Sequence, residues 1–161
     1  MRIVIVIALL LLTACGGDGR RIGVEGVELQ LLEGGEYPSA AELRVEVDNH
    51  GGVFTLRECR LRFGIEGRRQ VVVSLEQSVR VGRGRQSVVL PLKVSVVRNS
   101  LTLKLKEMLS QGDVSQVEVD GELRVRRGWV SRRERIAATR LTELLSAAEV
   151  EHLCNIVKQQ K

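Results

Sequence analysis

Apolar and polar residues alternate with a period of two along most of this 161-residue chain. Because successive side chains of a strand point to opposite faces, such alternation predicts strands with one buried face and one solvated face. The alternating apolar positions are, in chain order, Val27, Leu29 and Leu31; Leu43, Val45 and Val47; Cys59, Leu61, Phe63 and Ile65; Val71, Val73 and Leu75; Val88, Leu90, Leu92, Val94 and Val96; and Val117, Val119, Leu123 and Val125. Gly and Asn clusters separate these runs. The spacing therefore predicts an all-β, two-sheet sandwich of six or seven antiparallel strands.

One segment inside the strand pattern changes to helical spacing. After Asn99, a residue type that caps helices well, Leu101, Leu105 and Met108 recur every three or four positions. This spacing predicts a short helix between two strands that ends before Gly112.

A second helical segment is expected at the C-terminus. Ser146 and Glu149 have the spacing of a capping box, which marks a helix start. The apolar stripe that follows consists of Val150, Leu153, Cys154 and Val157. We expect a C-terminal amphipathic helix over residues 146–161 that packs on the sandwich or on a partner.

The N-terminus has the layout of a secretory signal. The apolar run from Ile3 to Leu12 follows Arg2 and is about half as long as a bilayer-spanning helix needs to be. The residues Leu-Thr-Ala before Cys15 resemble the bacterial lipobox, which implies that diacylglycerol is attached to Cys15 and that residues 1–14 are removed. The alternatives are an ordinary signal peptide, or a buried core segment in which the Cys occurs by chance.

The lipobox resemblance implies a tether and a location. Residues 15–23 form the lipidated Cys15 and a flexible Gly-rich linker, and the acyl chains attach the protein to a membrane. Because Gly16 rather than Asp follows the Cys, resemblance to the known sorting rule indicates the outer membrane, with the protein facing the periplasm. The remaining chain divides into a sandwich over residues 24–145 and the C-terminal helix.

Composition narrows the classes of function. The chain is 43% apolar and 28% charged with a net charge of +5, so it is not a disordered tail protein. Only 2% of its residues are aromatic, and it has two His and three Cys. These counts argue against base or sugar stacking and against a metal centre. We therefore expect no nucleic-acid partner, no metal and no cofactor.

The order of features resembles a known family. The segment from Val45 to Gly52 is a strand that runs into an Asn-led turn, and the strand Cys59–Phe63, a valine strand, the inserted helix and the segment Val119–Val125 with Gly121 follow. This order resembles the late embryogenesis abundant type 2 domain, also called the water-stress and hypersensitive-response domain, over about residues 24–144. Bacterial lipoproteins occur in that family.

This resemblance implies an immunoglobulin-like or fibronectin III-like β-sandwich of about seven strands with one inserted helix. It implies no catalytic residues, and it is associated with stress protection and with adaptor-like or lipid-near roles. The family's turn often reads Asn-Pro-Asn, whereas this chain has Asn49, His50 and Gly51. The resemblance makes Asn49 a turn residue that tolerates a left-handed backbone, not a ligand.

The histidines and the glycine-rich turn do not form a chemical site in the sequence. A metal or a general base needs a partner set, and His50 and His152 lie far apart in the chain. We expect His50 to be a solvated loop residue and His152 to lie on the polar side of the last helix. The segment from Gly82 to Arg85 lacks the Lys-Ser/Thr of a phosphate loop and is expected to be a hairpin turn.

Two cysteines remain once Cys15 is lipidated. Cys59 is expected on the core side of its strand, and Cys154 lies on the apolar stripe of the last helix. In an oxidising periplasm they could form a disulfide that holds the helix to the sandwich. Two separately buried thiols fit the pattern equally well.

Arginines provide the remaining candidate surface. The candidate anionic-contact patch consists of Arg124, Arg126, Arg127, Trp129, Arg132, Arg133 and Arg135, where Glu134 is the only acid. It would contact lipid headgroups, lipopolysaccharide phosphates or an acidic protein face. The alternative is a charged sheet surface on which cross-strand acids balance the arginines. Trp129 would insert at an interface or cap the end of the core.

Together these features predict a non-enzymatic, membrane-anchored lipoprotein that acts as a binding or stress-protective module in the cell envelope. A second hypothesis is an adaptor or assembly subunit of an envelope protein complex, which would use the arginine hairpin or the last helix. A third is a hydrolase with an unrecognised site, although no Ser–His–acid or Cys–His grouping is evident. The sequence does not predict an oligomeric state.

Overall fold

The computed structural model describes residues 22–32, 39–111 and 113–144. The strands in this part of the chain are β1 (Ile22–Leu31), β2 (Ala40–Asn49), β3 (Phe54–Ile65), β4 (Arg68–Leu75), β5 (Val79–Val81), β6 (Gly84–Val96), β7 (Glu118–Arg127) and β8 (Val130–Arg140). The helices are α1 (Ser100–Gln111) and α2 (Leu141–Leu144). No helix among these residues is long and apolar enough to cross a membrane.

The strands form one open antiparallel sheet with the order β1-β2-β6-β4-β3-β7-β8, and β5 pairs with β3 beside this path. β6 joins the two halves of the sheet because it pairs with β2 over Gly84–Lys93 and with β4 over Leu92–Val96. This arrangement confirms the predicted all-β, sandwich-like fold with a short inserted helix, although β6 joins the strands into one continuous sheet instead of two separate ones.

The described residues share one apolar core on one face of the strands. Phe63, Leu43, Leu61 and Ile65 are fully buried, and each such side chain contributes about 1.5–3 kcal/mol by leaving water. The alternating apolar sets predicted for β2, β3, β4, β6 and β7 belong to this core. The period-two pattern therefore identified the buried face correctly in these five strands.

Helix α1 closes part of this core, as its spacing predicted. Leu105 and Met108 are buried against the strands. The Oδ1 atom of Asn99 accepts a hydrogen bond of 3.0 Å from the backbone N–H of Thr102, so Asn99 is the expected N-cap. The Thr102 hydroxyl also donates to Oε1 of buried Gln70 at 2.9 Å, which links the start of the helix to β4.

The turn after β2 differs from its expected backbone. Among the described residues, Glu66 is the only non-glycine residue with a positive φ (54°), so Asn49 is not left-handed. Asn49 acts through its buried side chain: Oδ1 accepts from the Gly51 N–H at 2.9 Å, and Nδ2 donates to the Gly82 carbonyl at 2.7 Å. The side chain mimics a turn and ties two loops together.

The segment from Gly82 to Arg85 is a turn, but it does not form the predicted hairpin. The strands on either side take different partners, because β5 pairs with β3 whereas β6 pairs with β2 and β4. Gln86 stabilises the turn, since its Nε2 donates to the Gly82 carbonyl at 2.7 Å and its Oε1 accepts from the Gly82 N–H at 3.0 Å.

Several predictions concern residues outside the described part. These are the signal peptide over residues 1–14, Cys15 and most of the 15–23 tether, and the helix over 146–161 with His152 and Cys154. The first described strand begins at Ile22, two residues before the predicted start of the sandwich.

Candidate functional site

The arginine segment forms a β-hairpin at one edge of the sheet. β7 and β8 are joined by a two-residue turn, Gly128-Trp129, in which Gly128 has a φ of 57°. A positive φ at the first turn position only is typical of a type II′ turn, which favours Gly there. The register continues directly from this turn, with Arg127 opposite Val130. β8 is the last strand in the sheet order, so the hairpin projects at an edge.

The tip of this hairpin is apolar and fully accessible. Trp129 is 98% exposed and the adjacent Val130 is 68% exposed. Trp129 therefore does not cap the core. That position is taken by Arg127, whose guanidinium carbon lies 5.8 Å from the ring centre of buried Phe54. The single tryptophan of the chain is left as a large apolar group in solvent.

Strand alternation divides the predicted patch between two faces. Directly opposite residues of paired strands project to the same side, and Arg124 pairs with Arg133 while Arg126 pairs with Ser131. Arg124, Arg126, Arg133 and Arg135 therefore share the outer face, whereas Arg127 and Arg132 are in register with the core-side positions. The six arginines do not form one continuous patch, because a strand presents alternate residues to opposite faces.

The β8 side of the hairpin has little charge compensation. Arg124 and Arg133 are directly opposite like charges, which destabilise a strand pair. Arg124 has Glu58 on its other side, with Nη1 to Oε1 at 3.7 Å. Within the described ranges, no carboxylate lies within 4.0 Å of the guanidinium groups of Arg132, Arg133 and Arg135.

On the β3–β4 side of the same face, Asp120 balances two arginines. Its carboxylate accepts from Arg62 at 2.9 Å and from Arg69 at 2.8 Å, so one half-buried carboxylate is held between two guanidinium groups. These two arginines fit the alternative of a balanced charged sheet surface. Of the other acids on the sheet strands, Glu42, Glu46, Glu118 and Glu122 form no ion pair within the described residues.

His50 lies apart from the hairpin, at the end of β2. Its Nε2 atom is 3.2 Å from Oδ2 of Asp48, and its side chain is 70% exposed. The Nε atom of Arg85 lies 3.7 Å from the same Asp48 oxygen and 3.3 Å from Oε1 of Glu25. In the described part of the chain, no group of three His, Cys, Asp or Glu residues is arranged to hold a metal ion.

Cys59 is buried and faces the core from β3, as predicted. Its proposed partner, Cys154, lies outside the described residues. The disulfide between them remains a prediction.

The structure also brings together residues that the sequence did not group. Thr55 of β3 is the register partner of Arg80 on one side and of Arg126 on the other. Arg80 and Arg126 are distant in the chain, and only the sheet order places both beside β3. No signal in the local sequence pattern could have revealed this pairing.

Comparisons with known proteins add no functional assignment. No family model and no curated protein matches the chain. A similar solved structure is the crystal structure of a protein from Archaeoglobus fulgidus, with 11% sequence identity and a TM-score of 0.38, covering 73% of this chain and 94% of that chain.

Proposed function

We propose that this chain is a non-enzymatic lipoprotein of the bacterial envelope, tethered through Cys15 to the outer membrane. Its sandwich acts as a binding module that contacts an anionic partner through the β7–β8 hairpin. Two features support the proposal: the lipobox-like sequence before Cys15, and the composition of the hairpin tip.

The observation that carries the binding role is the full exposure of Trp129 between arginine-bearing strands. A tryptophan ring combines apolar area with one polar N–H, so it favours boundaries between water and an apolar phase. Arginines such as Arg133 and Arg135 bind phosphate and carboxylate groups through several N–H donors at once. A hairpin tip that carries an exposed tryptophan and nearby arginines suits a partner with an anionic surface and an apolar interior.

A stress-protective role would follow from the resemblance to the late embryogenesis abundant type 2 domain. The helix between β6 and β7 and the side-chain-stabilised turn at Asn49 are compatible with that resemblance.

Metabolic labelling with a palmitate analogue tests the tether. We expect the wild-type chain to incorporate the label and the Cys15→Ala variant to lose it. An unlabelled wild type, or equal labelling of the variant, would contradict lipidation at Cys15. Membrane fractionation of the labelled protein then distinguishes the outer from the inner membrane.

An adaptor role is the second candidate, and the edge position of β8 favours it. Within the described residues β8 pairs only with β7, so its outer edge presents main-chain donors and acceptors to an incoming strand. Cross-linking followed by purification from membranes should then recover a stoichiometric protein partner. Recovery of no partner, together with protection of client enzymes during drying, would favour the protective module instead.

A further inference from the structure

A second basic cluster lies beside the tip of the hairpin, on the outer face of the sheet. Arg80 and Arg126 are in register with Thr55 from its two neighbouring strands, β5 and β7. Directly opposite residues project to the same face, so both arginines flank the Thr55 side chain. Arg57 follows at the β-bulge between Leu56 and Glu58, where the strand bends.

These residues surround an open cavity of about 470 Å³. Its polar lining includes Thr55, Arg57, Ser78, Arg80 and Arg126, and Gly128 of the hairpin turn also borders it. None of the described residues that line the cavity carries a carboxylate. Three arginines, a threonine and a serine therefore border one space together with Val53 and Phe54, and this lining is rich in donor residues and positively charged.

The positive charge in this cavity is not neutralised by neighbouring acids. Within the described part of the chain, Arg57, Arg80 and Arg126 have no carboxylate within 4.0 Å. The nearby Glu58 instead approaches Arg124, at 3.7 Å. Like charges on adjacent strands repel, so an anion bound between them would stabilise the arrangement.

The geometry also limits where an anion would sit. Arg80 and Arg126 are two strand spacings apart, about 9.5 Å between backbones, with Thr55 midway. Long arginine side chains can converge across that distance on a group above Thr55. The Nε–H of Arg126 donates to the Gly128 carbonyl at 2.9 Å, which restrains the base of its guanidinium group. Its remaining N–H groups form no hydrogen bond with the described residues and can serve a ligand.

We infer that this cavity binds a phosphate or phosphomonoester group. Forked guanidinium donors and hydroxyls together match the several oxygens and the double negative charge of such a group better than a single carboxylate. The phosphate belongs either to a lipid headgroup or to a soluble phosphate ester. The site requires no lipid at Cys15 and shares only Arg126 with the predicted hairpin patch.

Titration of the full chain in nonionic detergent tests this inference. Trp129 follows the cavity residue Gly128 and is the only tryptophan, so its fluorescence reports on binding. The probe is inorganic phosphate, added at constant ionic strength against a chloride control. The cavity variant is Arg57→Gln with Arg80→Gln, and the matched control is Arg44→Gln with Arg83→Gln, which removes the same charge at two exposed positions outside the cavity and the hairpin.

We expect saturable phosphate binding to the wild type that weakens at least about tenfold in the cavity variant and about twofold or less in the control. Equal weakening in both variants would show general surface attraction and would overturn the site. The absence of saturable binding to the wild type would also overturn it. Unfolding midpoints of both variants check that loss of binding is not loss of fold.

A second titration identifies the source of the phosphate. Detergent micelles containing phosphatidic acid or phosphatidylcholine replace inorganic phosphate, with the same two variants. Tighter, cavity-dependent binding to phosphatidic acid than to inorganic phosphate assigns a lipid headgroup, whereas similar binding assigns a soluble ester. We expect these substitutions to leave palmitate labelling unchanged, so failure of the cavity is distinguishable from failure of the tether.

Discussion

Asn49 and Asn99 show how one residue type performs two different tasks in this fold. Asn49 is buried and uses both ends of its amide, since Oδ1 accepts from Gly51 and Nδ2 donates to the Gly82 carbonyl. Asn99 is exposed and uses its oxygen to accept from the Thr102 N–H at the start of α1. The first site needs a donor and an acceptor, whereas the second needs only acceptors.

Replacing Asn with Asp at positions 49 and 99 distinguishes these two hydrogen-bonding roles. Asn49→Asp removes the donor to Gly82 and places a charge beside a carbonyl, so we expect a loss of about 1–3 kcal/mol of unfolding free energy. Asn99→Asp keeps the acceptor and places a negative charge at a helix N-terminus, so its effect is expected to be neutral or slightly stabilising. Urea unfolding at neutral pH measures both. Equal losses would contradict these two roles.

Glycine is needed at position 121 because β7 lies very close to β3 there, and not because the backbone turns. A Cβ atom there would lie 2.2 Å from the Arg60 carbonyl oxygen and 2.8 Å from Cδ2 of buried Leu61. Neither neighbour can move freely, because both belong to the adjacent strand β3. The match of this glycine to the family pattern noted in the sequence therefore has a steric explanation in this chain.

We expect Gly121→Ala to destabilise the protein by about 1–3 kcal/mol through overpacking between β7 and β3. Gly52→Ala is the matched control, because a Cβ there meets nothing within 4 Å. Its free energy of unfolding should change by less than about 0.5 kcal/mol. A tolerated Gly121→Ala would show that the strands separate readily at this point.

At the scale of elements, one ion pair connects the β3–β4 hairpin to α1. Glu66 occupies the first position of a two-residue turn with Gly67, where φ values of 54° and 71° are typical of a type I′ turn. Its carboxylate accepts a hydrogen bond from Lys104 of the helix. That hydrogen bond, the Lys104 charge and the Arg68 charge lower the pKa of Glu66 below its ordinary value of 4.5.

This lowered pKa predicts a pH-dependent contribution to stability. A carboxyl group with a lower pKa in the folded state stabilises it above the ordinary pKa, and the contribution disappears as the pH falls through the folded-state pKa. Glu66→Gln should therefore lower the urea midpoint at about pH 7 and leave it unchanged relative to the wild type at about pH 2. Because the pair is exposed, the effect should be small and should decrease with salt.

Glu76→Gln provides the control for this measurement. It removes an exposed carboxylate that has no ion pair among the described residues. Its effect on the midpoint should be smaller than that of Glu66→Gln at neutral pH. A Glu66→Gln difference that persists unchanged at low pH would contradict a stabilising ion pair with Lys104.

At the scale of the whole molecule, the local pattern predicted the elements but not their arrangement. Period-two alternation identified the buried face of β2, β3, β4, β6 and β7, and the Asn99 cap located α1, because each depends only on near neighbours in the chain. The strand order depends on distant pairings. The sequence therefore suggested a hairpin around Gly82, where the chain instead passes from the β3 side of the sheet to the β2 side.

The same distinction between local features and distant pairings applies to the candidate sites. The sequence identified the arginine-rich segment and Trp129, since both are local features. It did not show that alternate arginines face opposite sides, because the β7–β8 register was unknown. It could not join Arg57, Arg80 and Arg126 around Thr55, since these residues meet only through the order β5-β3-β7.

The central claim is that the exposed hairpin tip is the contact surface of an envelope-bound module. The most direct measurement replaces Trp129 with a photoreactive benzophenone amino acid in living cells and quantifies cross-linked lipid or protein after irradiation. The matched control places the same group at Leu103, which is 54% exposed on α1. We predict adducts at position 129 in several-fold excess over position 103. Equal yields at the two positions, or none at position 129, would contradict the account.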